Sequence, residues 1–179
     1  AKYADRRFDD HDAVAAQWAE LVECGLSGLS IPEAHGGAGG MFELCLAVER
    51  LAAGGFPAPK LVLTTAVSAS MIARHGTPAQ CEAWLPGCVD GSLTFCFALT
   101  EPGAGSNAMN LRTSARRIDG GWLLSGEKTY ISAVESSNRM VVVARDAEDG
   151  GFVVLVLPVP CEGVTTTRVQ VELPISDYQ

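Results

Sequence analysis

The hydrophobic period of this chain changes once, near Pro86 to Gly91, and that single change limits it to folds with two segregated halves. Before it, apolar residues recur at three- and four-residue steps, the spacing of helices with one buried face. Val14, Trp18, Leu21 and Val22 mark a first helix, with Asp12 as its expected N-cap and Gly25 as its end. A second helix is expected from Phe42 to Ala53, burying Leu44, Cys45, Val48, Leu51 and Ala52 and stopped by Gly54-Gly55. Pro57 and Pro59 read as a stiff connector. A third helix, Thr64 to His75, turns Val67, Met71 and Ile72 inward and is capped by Gly76. Thr77-Pro78-Ala79-Gln80 is a capping box with proline at the first helical position. The short fourth helix it opens carries Trp84 and Leu85 and is expected to end by Pro86.

After Gly91 the pattern is that of strands. Leu93–Leu99 is an apolar run of strand length, and Thr113–Ile118, Asp119-Gly120 and Trp122–Leu124 read as a hairpin. Met140–Ala144 and Phe152–Leu157 are apolar strands joined by the acidic loop Asp146–Gly151, and Val164–Val171 is expected to be a further strand. Helices followed by strands, without βαβ alternation, indicate an α+β chain of two units.

The charge balance excludes several functions. Lys and Arg number 13 against 21 Asp and Glu, a net charge of −8 with no basic run, which disfavours nucleic acid or an anionic membrane as partner. No apolar stretch is long enough to span a bilayer, and the N-terminal Ala1–Arg7 segment does not read as a signal peptide. Cys24, Cys45, Cys81, Cys88, Cys96 and Cys161 form no Cys-x-x-Cys pair and read as reduced core residues, which favours a cytoplasmic protein. His11, His35 and His75 lack metal-ligand spacing and read as surface or capping residues.

The chemistry concentrates in Phe97-Ala-Leu-Thr-Glu-Pro-Gly-Ala-Gly-Ser-Asn107. A buried strand breaks at Glu101-Pro102 into Gly103, Ala104, Gly105 and Ser106, residues small enough to let backbone approach a ligand. Their N–H groups can face an anion such as a phosphate, and Thr100 and Ser106 add hydroxyls. The residues alone fit a ligand cradle or an ordinary Gly/Pro turn. His35-Gly36-Gly37-Ala38-Gly39-Gly40 lacks dinucleotide-binding spacing and reads as a flexible turn.

The Phe97–Ser106 stretch also resembles the flavin-binding signature of the acyl-CoA dehydrogenases. Gly28-Leu29-Ser30-Ile31-Pro32-Glu33-Ala34-His35-Gly36-Gly37 upstream and Leu124-Ser125-Gly126-Glu127-Lys128-Thr129-Tyr130-Ile131-Ser132 downstream are similar to two further segments of that family, in the same order. The resemblance implies an N-terminal helical domain over residues 1–90 and a β-barrel-like antiparallel middle domain, incomplete, over 91–179. The family's C-terminal four-helix bundle, with its catalytic glutamate, has no counterpart here. The resemblance therefore implies that this chain is inactive alone.

It further implies FAD as cofactor, an acyl-CoA substrate oxidised to the 2-enoyl-CoA, an electron-transfer flavoprotein or similar acceptor, a homo- or hetero-oligomer, and a place in fatty acid metabolism. By resemblance Phe97, Leu99 and Thr100 lie along the flavin ring, Gly105 and Ser106 by its phosphates, and Ser106 also by the CoA portion of the substrate. Tyr130 and Ile131 belong to the segment packed on the ring, and Ser132 offers a hydroxyl near the reactive nitrogen. Asn107 stands where the family commonly has Asp. Glu101 reads as a loop-ordering carboxylate, not an acid or base. Arg74, Arg116, Arg117 and Lys128 can each meet a CoA phosphate but read as solvated surface charge. The alternatives are a flavin oxidase or monooxygenase of the same fold, or a non-catalytic subunit of a heteromeric dehydrogenase.

Overall fold

The computed structural model describes residues 11–54 and 60–169. Its helices are α1 (His11–Glu23), α2 (Met41–Ala53), α3 (Lys60–His75) and α4 (Pro78–Val89), and its strands β1 (Phe95–Ala98), β2 (Ser114–Ile118), β3 (Gly121–Ser125), β4 (Arg139–Asp146) and β5 (Phe152–Pro158). The four helices precede the five strands, as the change of period requires. Among the described residues no helix is long and apolar enough to cross a membrane. The Pro57–Pro59 connector lies outside the described residues.

Several helix details differ from the sequence reading. Asp12 lies inside α1, not ahead of it. Gly25 does end that helix, at a φ of 73°. On α2 the buried side is narrow: Leu44 is buried, Val48 and Leu51 pack against its cluster, and Cys45 and Ala52 are exposed. Phe42, at the start of the same helix, is 70% exposed. On α3, Val67 faces solvent, while Val62, Thr65, Ala66, Ala69 and Ile72 form the buried face. That face is built from small and hydroxylated residues, which let α3 lie close against β1; the Phe95 N–H donates to the Thr65 hydroxyl at 3.0 Å. Counting only large apolar residues misses it.

α4 opens as expected, with the Thr77 N–H donating to Gln80 Oε1 at 2.8 Å and the Gln80 N–H to Thr77 Oγ1 at 3.3 Å. Thr77→Ala should cost about 1 kcal/mol in a thermal or urea melt, the usual worth of such a cap. Pro86 does not end the helix, which continues to Val89. Proline forfeits one backbone bond. The fully buried Leu85 and Cys88 on either side of it keep the last turn in place, and the Asp90 N–H still donates to the Pro86 carbonyl at 3.0 Å.

The sheet runs β1-β4-β2-β3, with β5 on the other edge of β4. It is mixed, which corrects the antiparallel expectation: β1 and β2 both pair with β4 in parallel, and only β2–β3 and β4–β5 are antiparallel. Among the described residues no pairing closes it into a barrel. The expected hairpin is present, turning at Asp119-Gly120 with Gly120 at a φ of 80°. The expected strand Val164–Val171 is not formed over 164–168; Val169 alone makes a bridge, and 170–171 lie outside the described residues.

The sheet is covered on both faces. Phe95 and Val141, with Phe97 packed against them, join Ile31, Ala69, Ile72 and Leu85 in a core shared with the helices. Cys96, Ala98, Met140 and Val142 face the other way and gather Ile131 and Val134. Alternation along β1 thus sends Phe97 and Ala98 to opposite faces. All six cysteines are free; Cys81, Cys88 and Cys96 are core residues as expected, whereas Cys24 and Cys45 are exposed. Burial pushes the Cys88 thiol up to about 12 and the Cys96 thiol to about 11, so both behave as apolar side chains at neutral pH.

Candidate functional site

The site is made by an interruption in one edge of β4. β1 pairs with that edge as far as Val142, and β2 takes it up again at Arg145. The chain between them, residues 99–113, leaves the sheet and returns to it about 10 Å further along the same edge. A loop held at both ends by a buried sheet is a rigid platform for its own tip.

The base of the loop is organised around Glu101, only 6% exposed. Its N–H and carbonyl exchange hydrogen bonds with Ala104 at 3.1 and 3.0 Å, which closes the Pro102-Gly103 turn. Its carboxylate accepts from the Arg112 N–H at 2.7 Å, the Thr113 N–H at 3.0 Å and the Lys128 ammonium at 2.8 Å. Burial by itself raises a carboxyl pKa; the Lys128 ammonium and these donors outweigh it and hold Glu101 at about 2. A carboxylate so firmly ionised orders the loop and is a poor proton acceptor at neutral pH, in line with the sequence reading.

Lys128 departs from that reading. Its side chain is 11% exposed and is committed to Glu101 and, at 3.0 Å, to the Leu99 carbonyl. It is an internal tie, not a surface charge. Beside it the Thr129 N–H donates to the Thr100 carbonyl at 2.9 Å. Two stretches nearly thirty residues apart are thus fastened together, which brings Leu99 and Thr100 alongside the Lys128–Ser132 segment. Gly126 makes this crossing possible: a Cβ there would lie 2.4 Å from Thr113 Oγ1 and 2.6 Å from Thr113 Cα.

Downstream, Ile131 anchors the segment in the core formed by Cys96 and Ala98. Tyr130 and Ala133 around it adopt φ of 57° and 62°, left-handed values uncommon away from glycine. Tyr130 is 54% exposed and Ser132 half-buried. At the loop tip Gly105, Ser106 and Asn107 are exposed, and Asn107 Oδ1 accepts from the Met109 N–H at 3.2 Å, capping the turn Ala108–Asn110. Gly103 and Gly105 have no positive φ, and a Cβ at either would meet nothing within 4 Å. The chain's own packing therefore does not require glycine at these two positions.

Of the residues singled out in the sequence, Leu99, Thr100, Tyr130, Ile131 and Ser132 belong to the two fastened stretches, and Gly105 and Ser106 to the tip beside them. Phe97 stands apart, its side chain packed with the helical core on the opposite sheet face from Ile131. Glu101 reads from the sequence as loop-ordering, but the structural part of Gly126 and the pairing of Glu101 with Lys128 do not; nothing in one sequence says which two of many charges meet. The upstream glycine-dense stretch is a closed turn: Gly37 N–H donates to the Pro32 carbonyl and Ala38 N–H to the Gly28 carbonyl. A Cβ on Gly37 would fall 1.8 Å from the Ile31 carbonyl oxygen, so this glycine serves the fold.

Comparison with known proteins agrees with this architecture. Residues 1–92 match the acyl-CoA dehydrogenase N-terminal domain and residues 96–179 the acyl-CoA dehydrogenase middle domain. The acyl-CoA dehydrogenase fadE12 of Mycobacterium tuberculosis is 39% identical over 174 residues, covering 94% of this chain and 45% of that protein. The crystal structure of a glutaryl-CoA dehydrogenase from Mycobacterium smegmatis in complex with FADH2 superimposes with a TM-score of 0.81 at 26% identity, over 99% of this chain and 48% of the other. An acyl-CoA dehydrogenase from Bacillus anthracis complexed with FAD gives 0.75 at 27% identity, over 90% and 28%. The chain thus spans about half the length or less of these relatives. On the strength of both domain matches, in the order and positions the fold displays, this chain belongs to the acyl-CoA dehydrogenase family.

Proposed function

We propose that residues 1–90 and 91–179 are the helical and middle domains of an FAD-dependent acyl-CoA dehydrogenase, and that this chain supplies its flavin- and acyl-CoA-facing half. The observation that carries the proposal is the open space over Gly103 and Gly105, glycines the fold itself does not need, beside a strand exit fastened to the Lys128–Ser132 segment. Glycine there leaves room for a ligand to lie against the loop backbone.

FAD, when bound, supplies the acceptor for a hydride from the β-carbon of the acyl thioester. The chain's own residues bind and orient. The Leu99 and Thr100 carbonyls are already hydrogen-bonded to Lys128 and Thr129, which leaves the Thr100 hydroxyl to meet the ring's polar edge. Phe97 supports this edge from behind, through the β1 core. Ser106 and the Gly105 backbone face phosphate and the CoA portion of the substrate. Tyr130 would pack on the ring, Ile131 anchors their shared segment in the core, and the Ser132 hydroxyl would donate a hydrogen bond to the ring. Six free cysteines fit a reducing, cytoplasmic setting. An electron-transfer flavoprotein or similar acceptor takes the electrons, and the assembly is oligomeric.

The test is the visible spectrum of the full-length protein. A flavin band that yields FAD on denaturation and bleaches anaerobically with an acyl-CoA is expected. Tyr130→Ala should weaken FAD binding about tenfold, the worth of one aromatic contact. A full-length protein that stays colourless after incubation with FAD and removal of the unbound cofactor overturns the proposal.

A further inference from the structure

Arg145, at the end of β4, is not among the residues the sequence singled out, yet its side chain gathers the outgoing limb of the loop. Nε donates to the Leu111 carbonyl at 3.1 Å, Nη2 to the Met109 carbonyl, and Nη1 to the Gly150 carbonyl at 2.7 Å. Its backbone N–H donates to the Thr113 carbonyl at 2.8 Å, and its guanidinium lies 4.8 Å from the centre of the Phe152 ring. The Gly150 end is itself fixed. In that turn the Gly150 N–H donates to the Asp146 carbonyl, the Asp146 N–H to the Gly151 carbonyl, and the Gly151 N–H to Asp149 Oδ1. Arg145 therefore ties residues 109–111 to an ordered turn on β4–β5.

We propose that Arg145 is a positioning residue for the ligand loop: it fixes the outgoing limb, as Glu101 fixes the base, so that Gly103–Asn107 is presented already in place. The two ties are independent. Glu101 holds Arg112 and Thr113, whereas Arg145 holds Met109 and Leu111. Without Arg145, the limb keeps its buried Leu111 side chain, but its remaining hydrogen bonds among the described residues are local, from Asn110 N–H to the Asn107 carbonyl, Leu111 N–H to the Ala108 carbonyl and Met109 N–H to Asn107 Oδ1. These bonds close one short turn, and apolar packing of Leu111 is non-directional, so the guanidinium is what ties the limb's backbone carbonyls to β4–β5. A guanidinium is suited to the task because its planar fork spans three carbonyls while stacking on a ring; an ammonium, a point charge, cannot do both. The role in ligand binding rests on the proposed function; the tie itself does not.

The experiment compares full-length wild type, Arg145→Met and Arg145→Lys by native-state hydrogen exchange and by FAD titration. Exchange at the Met109, Asn110 and Leu111 amides is expected to speed up at least tenfold in both variants, while the Arg112 and Thr113 amides, held by Glu101, keep their protection. The FAD dissociation constant should rise about tenfold or more, since a loop displaced by an ångström loses its alignment with the ligand. Failure of Arg145→Lys to restore either readout separates the fork from charge alone, and that variant serves where Arg145→Met does not fold. Unchanged exchange at 109–111 overturns the proposal, as does faster exchange with FAD affinity intact. Wild type that binds no FAD overturns the proposed function instead, and exchange alone then decides whether the tie exists.

Discussion

Glu101→Ala is expected to destabilise the protein by about 3–5 kcal/mol in urea unfolding at pH 7, the cost of removing one partner of a buried ion pair. The substitution leaves the Arg112 and Thr113 N–H groups without their acceptor and the Lys128 ammonium without its counter-charge, held by the Leu99 carbonyl. Lys128→Met should cost less, about 1–3 kcal/mol, because the remaining carboxylate keeps its two amide donors. The order of the two effects is the discriminating result. Equal costs would mean that the amides contribute little and that the pair is an ordinary ion pair.

The same carboxylate sets an acid limit. Its pKa in the folded chain is about 2 against an ordinary 4.5. A depressed carboxyl stabilises the fold above its unfolded pKa, and that stability is lost as pH falls through the folded value. The window therefore runs from about pH 4.5 down to pH 2, with roughly 3 kcal/mol at stake. Glu101→Gln removes the titration, so the stability gap between wild type and variant should shrink by about 2 kcal/mol from pH 7 to pH 3. A gap independent of pH would place the ionisation elsewhere.

Much of this architecture is legible in the sequence because its signals are local. The Thr77–Gln80 box, the Gly25 stop and the Asp119-Gly120 turn are decided by residues within a few positions of one another, and each forms as expected. What is not legible depends on partners far along the chain. β1 pairs in parallel with β4 only because the whole 99–138 excursion lies between them, so no local pattern reports its direction. Val67 reads as core by its size, yet the helix turns Ala66, Ala69 and Thr65 inward, since close approach to β1 rewards small side chains. Lys128 reads as surface by its charge until Glu101 is found beneath it. The loop is conspicuous because it is rich in glycine; the groups that hold it still are ordinary residues in ordinary-looking strands.

Glycine alone does not say which master it serves, and the site offers a direct contrast. Gly126→Ala should destabilise by about 2–4 kcal/mol, because the new methyl would sit 2.4 Å from Thr113 Oγ1 and 2.6 Å from Thr113 Cα at a φ of 156°. Backbone would have to give way, and it is the backbone that carries Lys128 to Glu101 and Thr129 to Thr100. Gly105→Ala meets nothing within 4 Å and has no positive φ to relieve, so it should leave the fold unchanged or stabilise it by up to about 1 kcal/mol. In the full-length protein it should nonetheless weaken FAD or acyl-CoA binding at least tenfold if, as proposed, the ligand lies against the backbone in the space that the methyl would fill. Thermal melts and ligand titrations on the two variants therefore move in opposite senses if Gly126 belongs to the fold and Gly105 to the ligand. A Gly105→Ala protein with wild-type affinity would show that the open tip is not where the ligand lies, and would move the search to the exposed Tyr130 side of the site.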